Sequence, residues 1–257
     1  MIRRKQGAIE WLEFELFAPF PQLVAATFLR HGGISEGSRA SLDAGSSGAP
    51  REPIEENLQR IAKILGVDRL RDCFQIHSDE VAFLSEDTDW SLKKCDGLIT
   101  NCLDKTLLIK HADCQAAVFF DPLTQTIACI HSGWRGQVKN IYKATIEKMQ
   151  TSTGCKPENV LVGISPSLCP SHSEFIHFRQ EWPESFWRFQ VKPTYFDLWA
   201  ISKHQLIEAG IQPHNIQLAE ICTYCRPEDF FSYRREKPPG NHATVACLRS
   251  CALRGCA

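Results

Sequence analysis

The chain has 257 residues, of which 43% are hydrophobic and 23% charged, and its formal net charge is -1. This is ordinary globular composition, and a chain of this length buries about 70–75% of the surface that its unfolded form exposes. The nearly balanced charge gives no electrostatic reason to expect nucleic acid as a partner. No apolar run is long enough for a membrane helix, so we expect a cytoplasmic protein without membrane contact.

Three helices are predicted from apolar residues at helical spacing, and their ranges are 54–65, 136–152 and 198–209. Pro53 suits the first turn of the first helix, and Gly66 suits its end. Gly154 is placed to end the second helix. Asp197 is the predicted N-cap of the third.

Short apolar runs predict strands at 106–110, 115–121, 126–131, 160–164, 216–221 and 243–248. The second and third of these are expected to form a hairpin whose turn is 122–125. Sheets with helices packed on them fit this pattern better than a helix bundle or a β-sandwich does. We therefore predict one layered α/β domain of the α+β type, spanning 1–257, with strands of mixed direction.

Twelve cysteines are scattered along the chain and do not form a compact disulfide framework. Glu10, Glu13 and Glu15 interrupt the sequence near its start, so no signal peptide is predicted. We therefore expect reduced cysteines, most of them small buried hydrophobic side chains, and any exception should be a ligand or a nucleophile.

Two segments in the first third of the chain carry polar groups typical of sites. In Arg30-His-Gly-Gly-Ile-Ser35 the paired glycines permit close approach of a ligand, and Arg30 and Ser35 are candidate anion ligands. The alternative is a glycine turn with a surface arginine. In Gln75-Ile-His77-Ser, the histidine is a candidate metal ligand or base, and otherwise a structural histidine.

A third segment, His111-Ala-Asp113-Cys114, lies between two predicted strands, where active-site loops are common. Cys114 is a candidate thiolate ligand or nucleophile. Asp113 is a candidate proton carrier, or a group that orients a histidine. The alternative is an ordinary cysteine at the end of a strand.

The fourth segment, His131-Ser-Gly-Trp134-Arg135-Gly136, joins a strand end to a helix start. Free backbone N–H groups at such a junction attract anions, and the glycines admit a phosphate. Arg135 adds a positive charge, and Trp134 offers a flat surface for a nucleobase.

Two features near the end of the chain complete the set of candidates. Arg234 and Arg235 follow an aromatic run and are placed to clamp a phosphate or carboxylate, unless they form a solvated pair. Cys222-Thr-Tyr-Cys225 has the spacing of a redox motif or a zinc ribbon. No pair of matching spacing follows among Cys247, Cys251 and Cys256, so we do not expect a structural zinc there.

His77, Cys114 and His131 are too far apart in sequence for spacing alone to make them a metal site. Their chemistry and positions favour one, since two imidazoles and a thiolate suit zinc and three protein ligands leave a fourth position open. Each of the three lies at or near the end of a predicted strand.

Taken in order, these segments resemble the bacterial laccase-domain proteins, also called the polyphenol oxidase family and described as purine nucleoside phosphorylases. The resemblance covers about 25–248. It also runs through Glu56-Asn57, Cys95-Asp-Gly-Leu-Ile-Thr100, Cys222-Thr223 and Ser232-Tyr-Arg-Arg235.

The resemblance implies zinc held by His77, Cys114 and His131, and a layered fold formed by internal duplication. It implies phosphorolysis of adenosine, inosine, guanosine and S-methyl-5'-thioadenosine, and deamination of adenosine. Purine nucleosides and phosphate are then the partners of a monomer or small homo-oligomer. The chain departs from the family at Leu42-Asp43, Ser165-Pro166 and Gly240-Asn241. The last replaces a usual Gly-Arg, which predicts weaker phosphate binding.

Two other enzyme classes use the same residues. A metal-free cysteine hydrolase would take Cys114 as nucleophile, with His131 or His77 as base. A copper-dependent polyphenol oxidase is disfavoured because the chain has no His-x-His pair and only two methionines, Met1 and Met149. Copper itself would still bind the same triad readily. A non-enzymatic protein stabilised by zinc is the third alternative.

Overall fold

The computed structural model describes residues 1–45, 48–88 and 93–250. Its strands in chain order are Ile2–Gln6 (β1), Ile9–Glu13 (β2), Leu23–Phe28 (β3), Leu70–Arg71 (β4), Val81–Phe83 (β5), Gly97–Thr100 (β6), Thr106–His111 (β7), Gln115–Asp121 (β8), Thr126–Ser132 (β9), Leu161–Ile164 (β10), Gln190–Lys192 (β11), Tyr195–Phe196 (β12), Ile216–Leu218 (β13) and His242–Leu248 (β14). The α-helices are Arg51–Leu65 (α1), Trp134–Lys139 (α2), Ile141–Thr153 (α3), Phe178–Glu181 (α4) and Leu198–Glu208 (α5).

The strands form two six-stranded sheets and a small ribbon of β11 and β12. The first sheet has the order β1-β2-β3-β14-β7-β4, and the second has the order β13-β10-β8-β9-β6-β5. Most neighbours are antiparallel, but β4 and β7, β5 and β6, and β10 and β13 pair in parallel. The predicted mixture of strand directions is therefore confirmed.

The two sheets pack face to face, and each is covered on its other side by helices. Along β8, Val118 and Phe120 lie in the core shared with the first sheet, whereas Phe119 packs with Tyr142 of α3. Leu108 of β7 lies in a core with residues of α1. This alternation follows from the two-residue period of a strand. The result is four layers, in the order α1, first sheet, second sheet, and α3 with α5.

The predicted helices are present, but their ends differ. The first begins at Arg51, ahead of the predicted position, but ends at Leu65 as predicted, with Gly66 as its C-cap at φ 62°. The second is not continuous, because Asn140 adopts a left-handed conformation with φ 64°. The Asn140 side chain accepts a hydrogen bond from the Lys143 N–H, so it ends α2 and begins α3. Asp197 caps α5 as predicted.

The prediction that most cysteines are reduced and buried is confirmed for the described residues. Seven of them are buried, and none of the ten that the structure describes forms a disulfide. Of the other three, Cys114 and Cys169 are partly buried and Cys225 is exposed. Cys251 and Cys256 lie outside the described residues.

Equal sheet size is what an internal duplication would give, but the duplication stays a prediction.

Within 1–45, 48–88 and 93–250, the helices are all too short or too polar to cross a membrane.

Candidate metal centre

His77, Cys114 and His131, which we call the triad cluster, come together in the folded chain. Their ligand atoms all lie within 4.8 Å of one another. Cys114 immediately precedes β8, and His131 lies in the neighbouring strand β9, opposite Ala116. His77 reaches them from the loop before β5, with a left-handed φ of 58°. The sequence prediction that these three residues meet is therefore supported by the geometry.

A fully buried carboxylate, Asp96, organises this cluster. Its Oδ1 atom accepts hydrogen bonds from His131 Nδ1 at 2.9 Å and from the His77 backbone N–H at 3.0 Å. Its Oδ2 atom accepts from the Ser78 N–H at 2.6 Å and the Ser78 hydroxyl at 2.8 Å. Because Asp96 accepts from Nδ1 of His131, Nε2 is left for the cluster, as in a carboxylate–histidine–metal arrangement.

Sequence reasoning assigned no role to Asp96, although it lies in the motif that runs from Cys95 to Thr100. The available signal was its place directly before β6, next in the second sheet to the strand that carries His131. The backbone N–H of His131 also donates to the Asp96 carbonyl at 2.7 Å.

The ionisation of the cluster without metal follows from its charges. Burial opposes the Cys114 thiolate, but the neighbouring His131 and His77 outweigh burial and lower the pKa of Cys114 to about 6. Burial likewise opposes the charged imidazole, yet Cys114 and Asp96 raise the pKa of His131 to about 9. Despite burial, hydrogen bonds from His131 and Ser78 lower the pKa of Asp96 to about 2. A thiolate ligand is therefore available at neutral pH.

Gly133 leaves room beside all three side chains of the cluster. A Cβ atom at this position would lie 3.0 Å from His77 Cδ2, 3.1 Å from Cys114 Sγ and 3.5 Å from His131 Cε1. The backbone of Gly133 is ordinary extended chain, with φ -79° and ψ 172°. The glycine is thus required for space next to the cluster and not for its backbone conformation.

Asp113 lies beside the cluster but faces another loop. Its carboxylate accepts hydrogen bonds from the Thr223 hydroxyl at 2.7 Å, the Ser232 hydroxyl at 3.0 Å and the Arg234 backbone N–H at 2.6 Å. Burial raises the pKa of Asp113, and these hydrogen bonds oppose the rise. Asp113 therefore ties the segment after β13 to the residue next to Cys114.

The predicted anion ligands make hydrogen bonds within the protein. Arg30 donates to the carbonyls of Ala40 at 2.8 Å and Pro227 at 2.8 Å. The Ser35 hydroxyl accepts from the Asn57 side chain at 2.9 Å. The Arg234 guanidinium donates to the Glu174 carbonyl at 2.9 Å.

Trp134 and Arg135 follow Gly133 at the start of α2. The Arg135 guanidinium carbon lies 4.3 Å from the centre of the Trp134 ring, which also stacks near Trp182 at 6.0 Å. Trp134 is partly buried, and Arg135 is exposed. Because α2 has only six residues, the expected anion site at its first turn gains no support from helix length.

Two surface grooves of about 430 Å³ and about 520 Å³ do not border the triad cluster. One is lined by residues between Phe178 and Thr194, and the other by residues of β1, β2 and α1 with Gly32. Neither groove marks the candidate site, which is recognised by its set of candidate ligands.

Comparison with known proteins gives relatives that share a name. Two proteins named purine nucleoside phosphorylase, from Bacteroides thetaiotaomicron and Geobacillus stearothermophilus (YlmD), are 27% and 28% identical over 87% and 91% of this chain and 90% and 92% of their own. The mouse purine nucleoside phosphorylase LACC1 is 31% identical over 80% of this chain. The chain spans about half the length of this mammalian relative, with 51% of it covered.

Solved structures share the fold across nearly the whole chain. Geobacillus stearothermophilus YlmD has a TM-score of 0.85 at 26% identity, with 97% of this chain and 99% of that one covered. A Bacillus licheniformis protein, YfiH, has a TM-score of 0.85 at 22% identity over 96% of this chain and 99% of its own. The model of the family described as multi-copper polyphenol oxidoreductase laccase matches residues 24–249. The chain belongs to this laccase-like family.

Proposed function

We propose that the chain is a zinc-dependent purine nucleoside enzyme. Its reactions are phosphorolysis of adenosine, inosine, guanosine and S-methyl-5'-thioadenosine, and hydrolytic deamination of adenosine. The observation that carries the proposal is the meeting of His77, Cys114 and His131 within 4.8 Å. The name shared by the relatives supports the substrate class.

The residues of the triad cluster fit a zinc ion. One thiolate and two imidazoles form a suitable donor set, and Gly133 leaves space beside them. A zinc ion with three protein ligands supplies a Lewis acid and lowers the pKa of water toward 7. Copper fits the same donors by affinity, so the metal loaded in a test must be controlled. Asp96 holds His131 in the tautomer that presents Nε2 to the ion.

Substrate contacts are assigned to residues next to this cluster in sequence and to the predicted anion ligands. Trp134 supplies an aromatic face for the purine, and the exposed Arg135 beside it supplies positive charge. The Arg234 backbone N–H donates a hydrogen bond to Asp113, which fixes Arg234 next to it. We assign Asp113 to proton transfer or to positioning of this loop. Arg30 and Ser35 complete the proposed phosphate contacts, after release from their internal partners or through their free hydrogen-bonding capacity.

Of the two proposed reactions, phosphorolysis depends on phosphate binding, and Asn241 stands where the family usually has an arginine. Its side chain donates to the Gly45 carbonyl at 3.0 Å, and its backbone N–H donates to Asp43 at 2.7 Å. A neutral amide at this position contributes no charge to an anion site. We therefore expect a high KM for phosphate, and we expect Asn241→Arg to lower it.

A metal-free cysteine hydrolase is the second candidate, because the same geometry links Cys114, His131 and Asp96. The thiol with its lowered pKa, the imidazole and the carboxylate have the order of a catalytic triad. The second imidazole, His77, distinguishes the candidates, since a hydrolase has no need of it. Zinc that is bound by unmodified protein but lost in Cys114→Ala, with no thiol adduct at Cys114, excludes the hydrolase.

The deciding experiment is incubation of zinc-loaded protein with adenosine, with and without phosphate. Adenine and ribose 1-phosphate support phosphorolysis, and inosine supports deamination. A parallel sample loaded with copper and given a phenol tests the oxidase alternative. If zinc-loaded protein turns over no nucleoside under either condition, the proposed function is wrong.

A further inference from the structure

A second group of metal-ligating side chains lies outside the triad cluster. Cys169, His172, Cys222 and Cys225, which we call the loop cluster, place their ligand atoms within 4.8 Å of one another. Sequence spacing alone does not predict zinc at Cys222 and Cys225, since no matching pair follows them. The missing pair precedes them, and it is Cys169-Pro-Ser-His172.

The fold brings the two pairs together through the parallel strands β10 and β13. Val162 pairs with Ile216 and Ile164 with Leu218, so both strands run to the same edge of the second sheet. Beyond that edge the pairing continues, with Ser167 opposite Cys222 and the Thr223 N–H donating to the Ser167 carbonyl at 3.1 Å. The Cys-x-x-His turn and the Cys-x-x-Cys turn are thus held side by side.

The distances from His172 to the three sulfurs of the loop cluster match those of a tetrahedral zinc site. Zinc–sulfur bonds of about 2.3 Å and zinc–nitrogen bonds of about 2.0 Å place sulfur and nitrogen ligands about 3.5 Å apart. His172 Nδ1 lies 3.2 Å from Cys169 Sγ, 3.8 Å from Cys222 Sγ and 3.5 Å from Cys225 Sγ. The imidazole nitrogen therefore contacts all three sulfurs at the separation that one shared ion would set.

Two further contacts support ligation in preference to an incidental group of thiols. The Cys169 backbone N–H donates to Cys222 Sγ at 3.4 Å, which stabilises a sulfur that carries negative charge. The His172 ring stacks on Tyr224, which lies between the two cysteines of the second pair, with ring centres 4.2 Å apart and planes at 22°. Tyr224 thereby holds the imidazole with Nδ1 toward the sulfurs.

We propose that Cys169, His172, Cys222 and Cys225 bind one zinc ion as a closed structural site. Binding releases the thiol protons to solvent, and the neutral imidazole binds through Nδ1. Four protein ligands leave no position for a substrate, which is the mark of a structural site. The ion joins the segment after β10 to the segment after β13. Through Thr223 and its hydrogen bond to Asp113, it braces the neighbourhood of the triad cluster.

The test counts zinc in protein purified under reducing conditions and desalted, with mass measured under non-denaturing conditions. Unmodified protein should hold two zinc ions per chain, and Cys114→Ala should hold one. Cys225→Ser and His172→Ala should each lose the zinc ion of the loop cluster and keep that of the triad cluster. The double variant Cys114→Ala with Cys225→Ser should hold no zinc. His177→Ala is the matched control, because this exposed histidine follows His172 closely in sequence but is not part of the loop cluster.

If one variant folds poorly, the melting temperature with and without a chelator provides a second test of the proposal. Chelation should lower the Tm of Cys114→Ala protein, and it should leave the Tm of the Cys114→Ala and Cys225→Ser double variant unchanged. Retention of the same zinc content by Cys225→Ser and His172→Ala would overturn the proposal. So would a disulfide within the loop cluster in protein purified without oxidant. Neither result depends on whether the chain turns over nucleosides.

Discussion

The triad cluster and the loop cluster use the same side-chain types in different arrangements. In the triad cluster, Cys114 and His131 lie at the ends of the central strands β8 and β9, and His77 lies on the loop before β5. The buried carboxylate of Asp96 orients His131. The loop cluster has four ligands on two turns, and one of them, Cys225, is exposed. Three ligands beside a glycine leave a position for chemistry, whereas four ligands close the site. The number of candidate ligands is therefore what separates the proposed reactive centre from the proposed structural one.

The charges around the two clusters differ as well. Asp96 brings a buried negative charge to His131, and His131 in turn favours the Cys114 thiolate. The sulfurs of the loop cluster contact a backbone N–H, one imidazole and each other, and partial desolvation and the Cys222 thiol raise the pKa of both Cys169 and Cys225. Without metal, the triad cluster is thus set for ionisation and the loop cluster is not.

The largest effect should come from removing one cysteine of each cluster in turn. Cys114→Ala should reduce nucleoside turnover to the background rate and remove one zinc ion, because it deletes the thiolate of the open site. Cys225→Ser should keep turnover while it lowers the Tm. The measurement is turnover of adenosine together with zinc content and melting. Turnover retained by Cys114→Ala would refute the assignment of the triad cluster as the active site. Turnover lost only in Cys225→Ser would mean that the loop cluster, and not the triad cluster, is the reactive one.

The second prediction concerns thiol reactivity in metal-free protein. The environment lowers the pKa of Cys114 from an ordinary 9.0 to about 6, whereas partial desolvation and the Cys222 thiol raise the pKa of the largely exposed Cys225. The thiolate is the reactive form, so alkylation of Cys114 should be half-maximal near pH 6 and constant at higher pH. Alkylation of Cys225 should still rise beyond pH 9.

Peptide mass mapping after brief exposure to iodoacetamide over a range of pH checks this difference. Zinc should protect both cysteines when they act as ligands. If Cys114 reacts at the same rate with and without zinc, it is not a ligand and the hydrolase alternative gains. If the two cysteines share one pH profile, the electrostatic difference between the clusters is absent.

The third prediction concerns the Asp96 carboxylate, which contacts the triad cluster and has no counterpart among the described contacts of the loop cluster. Asp96→Asn should weaken zinc binding at the triad cluster by about 10–100-fold, because the neutral amide no longer stabilises the oriented His131. Zinc binding at the loop cluster should not change. Competition with a chromophoric chelator measures both affinities.

Asp121→Asn is the matched control for Asp96→Asn. Asp121 is equally buried and accepts the Leu123 N–H at 2.8 Å, but it lies at the other end of β8 from Cys114. An equal loss of zinc in both variants would mean that Asp96 acts on folding in general and not on His131.

Local sequence patterns predicted the elements that carry strong periodicity or caps. The strand Gln115–Asp121 and the helix that begins after Asp197 have the predicted positions, because burial and capping act locally there. The strand Ile2–Gln6 was missed because all but its first residue are exposed, which leaves no alternating pattern. The break at Asn140 was missed because a left-handed asparagine is a single-residue signal within a helical stretch.

The same distinction applies to the sites. The chemistry of His77, Cys114 and His131 marked them as ligands, but no local pattern links Asp96 to a histidine that lies 35 residues away. The pairing of Cys169 with Cys222 depends on the parallel contact of β10 and β13, which are distant in sequence. Register between distant strands is a property of the whole fold, so a search for nearby pairs finds only half of the loop cluster.

The smallest expected effect tests how the loop cluster is oriented without a carboxylate. Tyr224→Leu keeps apolar volume but removes the ring that stacks on His172 at 4.2 Å. Aromatic stacking contributes about 1 kcal/mol beyond burial, which corresponds to about a fivefold weaker zinc affinity at this cluster alone. Chelator competition in the Cys114→Ala background isolates that affinity, and Tyr233→Leu, an exposed tyrosine nearby in sequence, is the control. An unchanged affinity would show that the Cys-x-x-His turn alone fixes the imidazole. A fivefold loss would show that a stacked ring takes the place in the loop cluster that Asp96 has in the triad cluster.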